Sequence, residues 1–303
     1  MLGAVVLGLL CTWGAGCSRD TEALVLYAAQ DRVFVDPILA EFTRQTGIRV
    51  RVLYDNEATK TVGLVNRLRA EKGRPLADVW WSNEELQTRR LILEQVLEPD
   101  LKVFGARQRV LVCHTNEMPR WQSLTSLAVL TNRAFDGQFI VAYPLAGSTL
   151  NHFAALRLRW GENAWTQWLG GLLANRPILV DGNSAVVRWM GRKEGFVGLT
   201  DSDDVRFACR EGAPLAAIPL PPGDGLTIPN SVAIVANGRH RAAALRFIEF
   251  MSRPEVQRRL RDDGALDPQE SAPVGPQDSV EDWEQLIREF HLAAAWLEKN
   301  FLR

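Results

Sequence analysis

Apolar residues come in short runs separated by polar turns, and stretches with helical spacing lie between the runs. Leu24–Ala28 is the first run and reads as a strand. Within Pro37–Thr46, Ile38, Leu39 and Phe42 share one helix face, and Gly47 ends that helix. Ile48–Tyr54 alternates apolar side chains with Arg49 and Arg51, the pattern of a half-exposed strand. Val62, Val65 and Leu68 recur at helical spacing within Thr59–Glu71, and Ala77–Trp81 reads as a third strand. The order β-α-β-α-β implies parallel strands joined by right-handed crossovers.

A second α/β unit follows. Val110–His114 and Phe139–Tyr143 read as strands, and Gly147 opens a helix running to about Arg159. Ile178–Val180 leads through Asp181-Gly182 into a helix that begins at Asn183, and Phe196–Leu199 is another buried strand. After a turn-rich stretch over 219–225, Ser231–Ala236 is a strand and Arg241–Arg261 is helical on both sides of Pro254. Val280, Trp283, Ile287, Phe290, Ala294, Leu297 and Phe301 mark one face of a long C-terminal helix that packs on the core. The whole pattern is α/β, and 303 residues exceed what one core usually supports, so two domains are expected.

Composition narrows the function. A net charge of −1 argues against nucleic acid or an anionic membrane surface as a partner. Residues 1–17 carry no charge and are apolar from Leu2 to Leu10, which suits a signal peptide better than a membrane span. Gly14-Ala15-Gly16 followed by Cys17 looks like a bacterial lipoprotein cleavage site, with Cys17 as the lipidated N-terminus. The expectation is an exported protein that meets the membrane only through that lipid. Cys113 and Cys209 have no zinc or redox spacing and are expected to be buried free thiols.

The chemistry concentrates at Gly195–Val205, where a buried strand breaks into Asp201, Asp203 and Asp204. Asp and Ser favour turns and helix starts, so these acids belong at the strand's carboxyl end, where open α/β sheets bind ligands. Gly147-Ser148-Thr149 and Asn183-Ser184 each open a helix, and two helix N-termini with hydroxyl and amide donors form an anion cradle or simple caps. Trp80 and Trp81 either clasp an organic cation or pack in the core and over a loop. His114, His152, His240 and His291 stand in no zinc or nucleophile spacing, and Gly-x-Ser-x-Gly is absent, so the chain reads as a binder and not an enzyme. A metal-dependent phosphoryl-transfer site on Asp201–Asp204 is the enzymatic alternative.

From about Leu24 to Leu260 the chain resembles the extracellular solute-binding proteins of ABC importers, of the ferric-iron-binding kind. The resemblance rests on Leu24–Ala29, Phe42–Val50, Ala77–Ser82, Pro119–Leu127 with Phe135–Gly137, Gly182–Val186 and Ala243–Phe250. It implies a two-domain periplasmic-binding-protein-like fold (type II) with the ligand in a cleft and a two-crossing hinge. The implied division is 18–107 with 229–262 as domain 1, and 108–228 with 263–303 as domain 2. It further implies a monomeric receptor in the periplasm, an ABC permease as partner and a small ligand. Where that family holds ferric iron with a His, a Glu and two tyrosines, the matching positions here are Asp31, Glu84 with Asn83 beside it, and Asp203-Asp204. Four carboxylates from separate loops repel by roughly 1–4 kcal/mol per pair at contact distance and call for a cation. All-oxygen ligation suits Fe³⁺ or another hard cation, with an anion on Ser148, Thr149, Asn183 and Ser184. An organic amine clasped by Trp81 is the other ligand class.

Overall fold

The computed structural model describes residues 23–55, 62–121, 124, 126–192, 196–268 and 282–301. The signal segment and Cys17 lie outside the described residues. The chain runs β1 (Leu24–Ala28), α1 (Arg32–Thr46), β2 (Val50–Tyr54), α2 (Val62–Ala70), β3 (Val79–Ser82) and α3 (Glu85–Leu93). Then come β4 (Leu97–His114), α4 (Met118–Trp121), β5 (Phe139–Ala142), α5 (Gly147–Trp160), α6 (Glu162–Ala174), β6 (Ile178–Val180) and α7 (Asn183–Met190). The remainder is β7 (Val197–Asp201), α8 (Ser202–Arg210), β8 (Leu215–Pro219), β9 (Thr227–Val235), α9 (Arg241–Met251), α10 (Pro254–Asp263) and α11 (Trp283–Phe301).

The strands lie in the order β2-β1-β3-β9-β4-β7-β5-β6, with β8 also paired to β4. Strand β1 pairs parallel with β2 and β3, as the β-α-β-α-β order requires, and β5 pairs parallel with β6 and β7. Two strands, β4 and β9, join these parallel sets. From Leu97 to Gln108, β4 pairs antiparallel with β9. From Arg109 onward it pairs with β7 and β8 instead. Its register slips between Phe104 and Ala106, at Gly105. Gly105 has φ +55°, and a Cβ there would meet Leu266 Cδ1 at 2.4 Å, so the bend admits only glycine.

The apolar interior follows the two halves. On one side Leu24, Leu26, Val79, Val232 and Ile234 pack against Phe42 of α1 and Phe247 and Phe250 of α9. Ala265 and Leu266 pack into this cluster as well. On the other side Phe139, Val141, Val197 and Leu199 meet Phe153, Trp165 and Trp168. Helix α11 completes that second core through Leu286, Phe290, Ala293, Leu297 and Phe301. Phe290, Leu297 and Phe301 belong to the stripe read from the sequence, Trp283, Ile287 and Ala294 pack half-buried against the same core, and Val280 lies outside the described residues.

Several elements differ from expectation. Helix α1 begins at Arg32, five residues before the expected start at Pro37, so Pro37 falls in its second turn and the helix forgoes one i→i−4 hydrogen bond there. Helices α3 and α6 and strand β8 were not legible as elements. Cys113 is buried but Cys209 is exposed, because it lies on the solvent side of α8, so the expected pair of buried thiols reduces to one. Among the described residues no helix is long and apolar enough to cross a membrane.

Candidate functional site

A strand that changes partners leaves a gap between the sheets it joins. Arg107 and Arg109 sit on β4 where it passes from β9 to β7, two residues apart and therefore on one face. Both are buried, at 3% and 1% exposure. Opposite them β7 ends at Asp201, which is 2% exposed. Arg109 Nη1 donates to Asp201 Oδ1 at 2.6 Å, and Arg107 Nε donates to Oδ2 at 3.0 Å. Ser148 Oγ (2.8 Å) and Asn183 Nδ2 (2.9 Å) also donate to Oδ2. Arg109 reaches Ser148 Oγ, Asn183 Oδ1 and Thr149 Oγ1 as well. Three of the four side chains expected to greet an anion, Ser148, Thr149 and Asn183, are therefore already engaged by an internal ion pair. What the starts of α5 and α7 still offer a ligand is backbone N–H.

Above this floor lies a cavity of about 90 Å³. It is lined by Asp31, Asn83, Glu84, Arg107, Tyr143, Ser148, Thr149, Asp181, Asn183, Ser184, Asp201, Asp203 and Asp204, among others. The structure thus brings together nine of the ten residues proposed from sequence as ligand contacts. Each stands where a strand ends or a helix begins. Ser82, the last residue of β3, folds Asn83 and Glu84 inward: its Oγ accepts from Glu84 N at 3.0 Å and donates to Glu84 O at 2.9 Å. Glu84 crosses the gap to α5, where Asn151 Nδ2 donates to its Oε2 at 2.9 Å. Gly147, with φ +61°, lets α5 begin there, and a Cβ at that position would stand 3.5 Å from Glu84 Oε1.

Trp81 is the tenth, and it is elsewhere. It is fully buried and packs against Phe104 (6.1 Å between centroids) and Phe247 (6.4 Å). Trp80 points into the opposite apolar layer and donates Nε1 to Thr88 Oγ1. Helices cover both faces of β3, so alternation sends one ring into each layer and neither to the cleft. The reading of Trp81 as a ligand contact is corrected on that ground.

The electrostatics are lopsided. Six carboxylates line the cavity (Asp31, Glu84, Asp181, Asp201, Asp203, Asp204) against the single guanidinium of Arg107. Carboxylate oxygens of Asp201, Asp203 and Asp204 lie within 4.8 Å of one another. Asp203 Oδ1 stands 3.6 Å from Arg107 Nε and has no hydrogen-bond partner, and Asn83 Oδ1 is also buried without one. Burial pushes Asp203 up to about 7, with Asp201 and Asp31 adding to the effect and Arg107 opposing it. Burial likewise pushes Glu84 up to about 7, against the pull of Arg107 and Asn151. Asp201 is as deeply buried, but the two guanidiniums outweigh that and hold it at about 2. Burial drives the His152 imidazole down to about 3, so it stays neutral while its Nε2 meets Asp224 O at 2.6 Å.

These shifts give the ligand-free protein a particular pH dependence. Between about pH 4.5 and 6.5 the fold keeps two protons, on Glu84 and Asp203, that the unfolded chain has released. Over the same range the unfolded chain keeps one on His152 that the fold lacks. The net excess of one proton in the fold makes stability fall with rising pH, by roughly 1.4 kcal/mol per unit. Below about pH 4 the sign reverses, because the unfolded chain then protonates its Asp201 and the fold does not. Thermal unfolding without ligand should peak between about pH 4 and 5 and be several degrees lower at pH 8. A melting temperature that is flat from pH 5 to 8 would contradict these shifts.

The paired half-sheets with a gap at their joining strands have the two-domain architecture of the periplasmic binding proteins. Residues 24–265 match the bacterial extracellular solute-binding proteins, and the chain belongs to that family. No curated protein matches the sequence. Among solved structures it is similar to iron-bound HitA from Pseudomonas aeruginosa, with a TM-score of 0.77 and 20% identity over 91% of this chain and 99% of that one. The ferric binding protein from Campylobacter jejuni gives 0.78 and 16%, covering 91% and 98%. The periplasmic binding protein AfuA from Actinobacillus pleuropneumoniae, with fructose-6-phosphate bound, gives 0.77 and 16%, also covering 91% and 98%. At such identities the likeness carries the fold alone.

Sequence reasoning missed Arg107, Arg109, Asp201 as an ion-paired floor, and Asn151. Arg107-Gln108-Arg109 directly before an apolar strand was the available signal, since alternation puts both arginines on one face.

Proposed function

We propose that this protein is the receptor of an ABC importer, a periplasmic lipoprotein anchored at Cys17 that captures a hard metal cation together with an anion. In this reading Asp31 and Glu84 hold the cation from one side and Asp203 and Asp204 from the other. The anion meets the N–H groups that open α5 and α7, near Ser148, Thr149, Asn183 and Ser184. One observation carries the proposal: buried acceptors with no donor, Asp203 Oδ1 and Asn83 Oδ1, line a cavity where carboxylates outnumber guanidinium six to one. Such a site is costly when empty and is relieved by a cation. The iron in HitA and the ferric ion in the name of the Campylobacter protein are consistent with that choice, while AfuA's sugar phosphate matches the anion side alone. The amine alternative has lost its aromatic clasp with the burial of Trp81.

A melting screen tests it. Hard cations should raise the unfolding temperature and chelator should abolish the rise, whereas amines and phosphate esters alone should not shift it. A shift by an amine that ignores chelator would overturn the metal assignment.

The division at about residues 107 and 229 is part of the proposal, with β4 and β9 as the two hinge crossings. Cation binding should then close the cleft and reduce the radius of gyration in small-angle scattering. An unchanged radius at saturating ferric ion would count against the hinge.

A further inference from the structure

A second cavity, of about 170 Å³, opens from the acid site toward solvent. The two share Asp31, Ser184, Asp203 and Asp204 and so lie side by side. The outer part differs in kind. Its wall is Val33 and Phe34 from the first turn of α1 and Phe207 from α8, with the exposed Arg188 at the rim. Phe34 meets Phe207 edge to face across the gap, 6.5 Å between centroids. Phe34 belongs to the core, but Val33 is 57% exposed and Phe207 44%. Phe207 lies among Arg206, Arg210 and Glu211, on the face of α8 that faces away from the core.

A hydrated ion gains nothing from such a wall, since its water shell would face carbon that accepts no hydrogen bond. An apolar surface bordering a polar pocket serves an organic ligand, which the pocket's few charges then orient. A cavity of about 150 Å³ admits one benzene ring, and the annex is of that size. The cationic end has its place in the inner cavity, where Asn83 Oδ1 and Asp203 Oδ1 belong to side chains more than nine-tenths buried and have no hydrogen-bond donor. That leaves the annex for the other end of the same ligand.

Resting on the cation reading above, we propose that the cargo arrives as a chelate: a hard cation carried by a monocyclic aromatic hydroxy acid. The metal faces Asp31, Asp203 and Asp204, the ring lies between Val33 and Phe207, and a free carboxylate faces Arg188.

Calorimetry with two ferric complexes tests this. One is ferric protocatechuate, whose hydroxyls chelate and whose carboxylate stays free; the other is ferric carbonate, which has no ring. The unaltered protein should bind the protocatechuate complex at least tenfold more tightly. Phe207→Ser and, separately, Val33→Ser should erase that difference, and Arg188→Gln should reduce it. Equal affinities in the unaltered protein would overturn the proposal. So would an equal loss for both complexes in Phe207→Ser, which would make the ring a contact for closing the cleft only. Protocatechuate binding equally well without metal would also overturn it. Failure of both ferric complexes to bind protein that melts normally would defeat the cation reading itself, and this inference with it.

Discussion

Arg109→Met is expected to destabilise the fold by about 3–5 kcal/mol, because it removes one partner of a buried ion pair and leaves the other. Arg109 is 1% exposed, and Asp201 depends on it for the 2.6 Å contact at Oδ1. The same side chain also donates to Ser148, Asn183 and Thr149, so three oxygens lose a donor as well. At roughly 2–4 °C per kcal/mol for a chain of this size, the unfolding temperature should fall by about 10 °C. Asp201→Asn added to Arg109→Met should cost less than the two changes summed, since neutralising the carboxylate removes the orphaned charge. Denaturant unfolding of the three variants reads this directly. A loss below about 1 kcal/mol for Arg109→Met would mean that Arg107 alone satisfies Asp201.

The second large effect has the opposite sign for stability. Asp203→Ala with Asp204→Ala should lower cation affinity by at least a hundredfold while making the ligand-free fold more stable at neutral pH. Asp203 sits at about 7 instead of its ordinary 3.8, chiefly through burial, so keeping it ionised above neutrality costs on the order of 4 kcal/mol. Removing it relieves that cost at pH 8 and relieves little at pH 4.5, where the carboxyl is already protonated. The pH contrast separates this cause from a general improvement in packing. If the double variant binds cation as the parent does, the two acids merely cap α8 and the site lies elsewhere.

The residues that gather at the cleft were legible because their chemistry is local. An Asp-rich strand end, a Gly-Ser-Thr helix start and an Asn-Ser helix start each announce themselves within a few positions. Most of the α/β order was legible for the same reason, since apolar runs and helical stripes alternate from Leu24 through Leu199 except over α3 and α6.

What stayed hidden is long-range. Strand β4 opens with Glu98, Pro99, Asp100 and Lys102, which break the alternation of a strand, because this stretch pairs with β9 in a half-exposed crossing. Its length, and with it the position of Arg107 and Arg109 over Asp201, depends on pairing partners far along the chain in β7 and β9. Trp81 misled for a related reason: a run buried on both faces has no polar side to reveal which ring meets solvent. The burial of Asp203 and Glu84, which decides their titration, likewise comes from packing between the two halves and leaves no local mark.

The most direct test of the central claim is calorimetric titration of the metal-stripped protein with ferric ion and carbonate at pH 5.5 and pH 7.5. Carboxylates that hold protons near neutrality must release them to bind a cation, so affinity should rise at least tenfold from the lower to the higher pH, with protons released at pH 5.5. Chelator should reverse the binding at both values. Affinity that is the same at both pH values, or heat that persists in the presence of chelator, would contradict a cation held by Asp31, Glu84, Asp203 and Asp204.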